Sequence, residues 1–172
     1  MNFKLVLKLS ILALLVLGMS QSVLAMEKEV VPAVIKCPTA EEVVAAIFDN
    51  NLQVVKDFIK AGADVNQTAT GDTFLNIACS LNREEIVKEL LENGADPNMP
   101  EMWFSGHTPL HMAMEQGLEK IVRMLIEYGA DINCKDKSGQ SPLERVQGCS
   151  CNPHGQAMEL LLKEIEYQKE IR

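Results

Sequence analysis

Three groups of residues carry side chains that could do chemistry. The first is Cys149-Ser150-Cys151-Asn152-Pro153-His154, two thiols and an imidazole within six residues. Such a set can hold a soft metal, close into a strained and easily reduced disulfide, or remain as free thiols. All three states stay open at this point, although three ligands from one loop fall short of the tetrahedral set that structural zinc takes. The second is His111 in Thr108-Pro109-Leu110-His111, where no Asp, Glu or Cys stands at a spacing that would make a catalytic or metal partner. The third is Met102-Trp103-Phe104, which puts the single tryptophan beside a phenylalanine. That pairing suits a contact surface, because large rings remove much apolar area from water at little entropy cost.

The elements that must position these residues come from an internal repeat. Gly62-Ala63-Asp64, Gly94-Ala95-Asp96 and Gly129-Ala130-Asp131 are each followed two residues later by an asparagine, Asn66, Asn98 and Asn133. Before each lies an apolar pattern with helical spacing, Val54-Val55 with Phe58-Ile59, Ile86-Val87 with Leu90-Leu91, and Ile121-Val122 with Leu125-Ile126. This spacing predicts one buried stripe per helix, ended by a glycine in the left-handed conformation. A preceding helix is predicted to start at Thr73, Thr108 and Ser141, whose hydroxyls can cap it, with proline tolerated in its first turn. Asn50, Asn82 and Gly117 stand where the chain must reverse between the two helices, a place for left-handed backbone.

This pattern resembles the ankyrin repeat, a turn and two helices recurring at about 33 residues. The resemblance is fullest from Gly106 to Asn133, close from Gly71 to Asn98, and degenerate at both ends, where Thr39 to Glu42 reads as a capping box. It implies an all-α solenoid of stacked helix-turn-helix units with β-turn fingers, over residues 39–67, 70–99, 104–134 and 138–165, with a tail at 166–172. It also implies that Thr108, Pro109, Leu110 and His111 are structural, the imidazole tying turn to helix. Binding in such proteins resembles contact through turn tips and first helices, so Met102, Trp103, Phe104 and Met112 become candidate partner contacts, which Asn76 and Arg145 could extend. Gly71 stands five positions after Asn66 and Gly139 six positions after Asn133, but Gly106 stands eight positions after Asn98. The middle turn is enlarged.

Ahead of the repeats, Lys4 and Lys8 lead into an apolar run from Leu9 to Met19, then Ser20-Gln21-Ser22-Val23-Leu24-Ala25. A basic segment, a short apolar core and small residues near a cut after Ala25 follow the pattern of a secretory signal peptide. A bilayer span needs about 20 apolar residues, more than this run supplies, so residues 1–25 are expected to be cleaved, leaving no stable membrane anchor. Residues 26–38 form a lead-in. The expected location is periplasmic or secreted, from a bacterial cell.

The formal charge of −8 becomes −10 when cleavage removes Lys4 and Lys8 and no acid. Nucleic acid and anionic lipid surfaces need a basic footprint, so the expected partner is an unidentified protein. The expectation is a monomer without catalytic residues, bound metal or cofactor. Disulfides persist in an oxidising compartment, yet the stack places Cys37 and Cys134 at one end and Cys149 and Cys151 at the other, too far apart to bridge. Cys79 and Cys134 read as packing residues. The alternative function is a redox or metal-linked envelope protein using Cys149, Cys151 and His154.

Overall fold

Hydroxyl residues begin the first helix of every repeat. In the computed structural model, which describes residues 37–69, 71–102, 105–148 and 154–171, Thr39 Oγ1 accepts from Glu42 N at 3.2 Å while Glu42 Oε2 accepts from Thr39 N at 2.8 Å. This reciprocal cap opens α1 (Ala40–Phe48) and satisfies two backbone donors that a helix start otherwise leaves open. Thr73 Oγ1 accepts from Asn76 N at the start of α3 (Phe74–Ser80). Ser141 and Glu144 make the reciprocal pair again at the start of α7 (Pro142–Gly148). Between Thr108 and His111 the same cap opens α5 (Pro109–Glu115).

Each first helix turns back into a second: α2 (Leu52–Lys60), α4 (Glu84–Glu92), α6 (Glu119–Glu127) and α8 (Gly155–Ile171). The first three reversals occur at Asn50, Asn82 and Gly117, with φ of 55°, 55° and 69°. Gly117 has a further constraint, since a Cβ there would lie 2.4 Å from His154 Nδ1. Only a residue without a side chain lets the imidazole lie on that turn.

First helices stack in the order α1, α3, α5, α7, and second helices in the order α2, α4, α6, α8, making one solenoid with a continuous core. Ile86, Val87, Leu90 and Leu91 are buried on α4, as are Ile121, Val122, Leu125 and Ile126 on α6. A side chain of this size adds about 1.5–3 kcal/mol when fully buried. On α2 only Val55 and Phe58 of the expected stripe are buried, Val54 and Ile59 being half-exposed. Phe58 meets Phe74 edge to face at 5.4 Å, which joins the first two repeats.

Polar side chains tie neighbouring repeats together. Asn66 Nδ2 donates to Gly94 O at 3.0 Å and its Oδ1 accepts from Asp96 N at 2.8 Å. Asn98 repeats this with Gly129 O and Asp131 N, at 3.0 and 2.7 Å. At the opposite end, Arg83 donates to Ile47 O and Phe48 O, and Gln116 donates to Ser80 O, so each reaches the last carbonyls of the preceding first helix.

Two strands of two residues, β1 (Thr68–Ala69) and β2 (Asp72–Thr73), pair antiparallel in the first turn, Thr68 opposite Thr73. The C-terminal segment expected as a tail is helical instead. No glycine interrupts α8 after its start, and it continues to Ile171, past Ile165, which packs against the core.

Candidate interaction surface at the enlarged turn

The enlarged turn is held at its base by hydrogen bonds. Glu101 N donates to His107 O at 2.9 Å, and Glu101 Oε1 accepts from both Ser105 N and Ser105 Oγ, at 2.8 and 2.9 Å. Burial opposes charge on Glu101, but these bonds with the nearby His107 hold its carboxyl below the usual range. Met102 bonds to the turn on each side of it: its N–H donates to Gly71 O at 3.0 Å and its carbonyl accepts from Lys137 Nζ at 3.0 Å. The Met102 side chain is 63% exposed. Trp103 and Phe104 lie outside the described residues.

Met112, on α5, is half-buried and packs against the core, so it contributes an edge to any contact surface. Asn76 does not extend that surface. It is buried, its Nδ2 donating to Met99 O at 3.3 Å, and it occupies the place beneath the turn that His111 takes one repeat later. The expectation for Arg145 also changes, because its guanidinium is committed internally, to Glu115 and to the buried carboxylate of Asp136.

His111 is fully buried, with Nε2 3.1 Å from Gln140 O and Nδ1 2.9 Å from Thr108 Oγ1. A carbonyl can only accept, so the ring proton belongs on Nε2 and Nδ1 accepts from the Thr108 side. Burial pushes the imidazole toward its neutral form, and nearby His107 adds to this, against the bond to Gln140 O. His107 stacks on His111 with ring centres 5.4 Å apart and planes 6° from parallel. Thr108, Pro109 and Leu110 are buried around it. The histidine therefore holds the third helix pair to the turn that follows it and presents no atom to a substrate.

Cys79 is wholly buried and burial pushes its thiol up, whereas Cys134 is half-buried, raised by burial and by Asp131. Cys37 is exposed. Cys149 and Cys151 lie outside the described residues, and the His154 imidazole rests on Gly117. Among the described residues no group of three or more His, Cys, Asp or Glu side chains could hold a metal, and no helix is long and apolar enough to cross a membrane. Residues 1–25, with the expected cut after Ala25, are likewise outside the described residues.

Beside Met102, stacking of the second and third turns leaves an open groove of about 420 Å³, lined by Pro100, Met102, Gly106, Cys134 and Lys137 among others. Sequence reasoning passed over Lys137. Nothing in its type or spacing marks it, because the groove arises between two turns and belongs to neither alone.

Helix pairs, left-handed reversals, an asparagine ladder and projecting turns together define a repeat scaffold built for contact, and the family comparison agrees. The model described as "Ankyrin repeats (3 copies)" matches residues 43–136 and 105–170, so the chain belongs to the ankyrin-repeat family, whose members generally mediate protein–protein interaction. Among curated proteins, the Neurogenic locus Notch protein of Drosophila melanogaster is 38% identical over 63 residues, 36% of this chain. The chain spans about 2% of that relative's length.

Proposed function

We propose that this is an exported ankyrin-repeat protein that binds another protein and has no catalytic activity, with the enlarged turn between Asn98 and Gly106 as the contact. The observation that carries the reading is Met102, a large apolar side chain 63% exposed on a turn fixed from both sides by hydrogen bonds. A turn backbone already fixed by hydrogen bonds loses little conformational freedom on binding, which favours affinity. The signal-like order of Lys4, Lys8, the apolar run and Ala25 supports export to a periplasm or beyond.

A photo-crosslinking amino acid placed at Met102 tests the contact in the native cell. A discrete adduct that is lost when Trp103 and Phe104 are both alanine is expected; no adduct from this turn, with adducts from Leu160 on α8 instead, moves the contact elsewhere. Fractionation with N-terminal sequencing tests export, and an N-terminus at Met1 in the soluble cytoplasmic fraction overturns it. The redox or metal alternative needs Cys149, Cys151 and His154 to converge. Of the three, only His154 is described, its ring lying on Gly117; Cys149 and Cys151 are outside the described residues.

A further inference from the structure

At the groove beside Met102 stands an exposed cation, Lys137, that forms no ion pair among the described residues. Lys137 N donates to Ser105 O at 2.8 Å, and its Nζ donates to Met102 O at 3.0 Å. Between these two ends its aliphatic stem lies over Gly106, where a Cβ would come within 2.9 Å of Lys137 Cγ. An ammonium has three N–H groups, so the bond to Met102 leaves two for another acceptor.

The other charged groups around the groove take part in hydrogen bonds or ion pairs, and Glu101 keeps its negative charge. Glu101 Oε1 takes both bonds from Ser105. Asp136 Oδ1 takes the N–H groups of Ser138 and Gln140, and its Oδ2 faces Arg145. Lys135 pairs with Glu144. Among the described residues, no carboxylate forms an ion pair with Lys137. The walls are mainly apolar, from Pro100, Met102, Cys134 and the lysine stem.

We propose that this groove takes an extended acidic segment of a partner protein, an Asp or Glu side chain meeting Lys137 Nζ and an adjacent apolar side chain lying between Met102 and Cys134. The inference rests on the protein-binding reading above and specifies its partner. The acidic occupant is argued from Lys137, whose ammonium would attract a carboxylate at this point of a chain that carries a formal charge of −8.

The probe is a blocked pentapeptide with a leucine between two glutamates, compared with versions carrying lysines for the glutamates or serine for the leucine. Amide shifts of the full chain are followed by NMR, and alkylation of Cys134 by iodoacetamide is mapped by mass spectrometry with Cys37 as internal reference. The glutamate–leucine peptide is expected to shift amides around Met102 and Lys137 and to slow alkylation at Cys134 but not at Cys37. Lys137→Met keeps the stem over Gly106 and should weaken binding roughly fivefold, as loss of one accessible ion pair allows, while Lys137→Arg retains it. Met102→Glu, at an exposed position, weakens binding by repulsion whether or not Lys137→Met folds well. Equal binding of the lysine peptide, or unchanged binding by Lys137→Met and Met102→Glu alike, overturns the proposal. If crosslinking at Met102 still captures a partner in that event, the groove assignment fails and the protein-binding reading stands.

Discussion

His111 Nε2 donates to the carbonyl of Gln140 at 3.1 Å, which makes one imidazole the tie between the third helix pair and the turn leading into the fourth. Its other nitrogen is held by Thr108, so both ring nitrogens are used inside the protein. Replacing His111 with Ala leaves Gln140 O and the Thr108 groups without this partner and opens a cavity at a fully buried site. A loss of about 2–4 kcal/mol is expected in urea unfolding. His111→Asn should lose less, since Asn76 fills the equivalent place one repeat earlier with a bond to Met99 O.

Acid should loosen the same tie. Burial lowers the folded-state pKa of His111 below that of the unfolded chain, so protons favour the unfolded state as pH falls. The contribution is fully present above the unfolded value of about 6.5 and is lost as pH falls through the folded one. Asp136 and Glu101, also lowered, add losses of the same sign further into acid, whereas Asp72, raised by burial and by Glu101, acts oppositely. Thermal midpoints measured from pH 7.5 to 5.5 should fall more for the parent chain than for His111→Asn. Parallel slopes would remove His111 as the source.

The asparagine ladder predicts an unequal pair. Asn98→Ala removes bonds to Gly129 O and Asp131 N across a repeat boundary and should cost about 1–3 kcal/mol in denaturant unfolding. Asn133 follows the same tripeptide, but its bond to Asp131 comes from its backbone N–H, so Asn133→Ala should stay within about 0.5 kcal/mol of the parent. Equal effects would show that the bond to the next repeat is not the source of stability.

Gly117→Ala combines left-handed backbone with a collision against His154, whereas Gly62→Ala has only the backbone cost, with open space around it. About 1 kcal/mol is expected for Gly62→Ala and more for Gly117→Ala. Adding His154→Ala to Gly117→Ala should recover the difference, and a double-mutant cycle measures it.

Thiol reactivity should follow burial. Exposed Cys37 is expected to alkylate first, half-buried Cys134 more slowly, and Cys79 only on unfolding, because burial both shields its thiol and disfavours the thiolate that reacts. Peptide mapping against denaturant concentration reads this order directly.

The amino-acid sequence by itself determined where the first helix of each repeat starts and where the first three pairs reverse. Thr39, Thr73, Thr108 and Ser141 act through bonds within three residues, and Asn50, Asn82 and Gly117 through their own backbone angles, so these features need no neighbour to be read. The fold followed from them. Of the candidate surface, the enlarged turn and the exposure of Met102 could be anticipated from spacing.

Tertiary structure alone decided which side chains face a partner repeat and which face water. Asn76 and Arg145 sit on a helix face that looks available until the adjacent turn covers one and Asp136 and Glu115 claim the other. Lys137, unpaired among the described residues, reaches Met102 only because Gly106 leaves room for its stem. The physical reason is range: caps and left-handed turns are local, whereas burial and ion pairing arise between segments about 30 residues apart that meet only after the repeats stack.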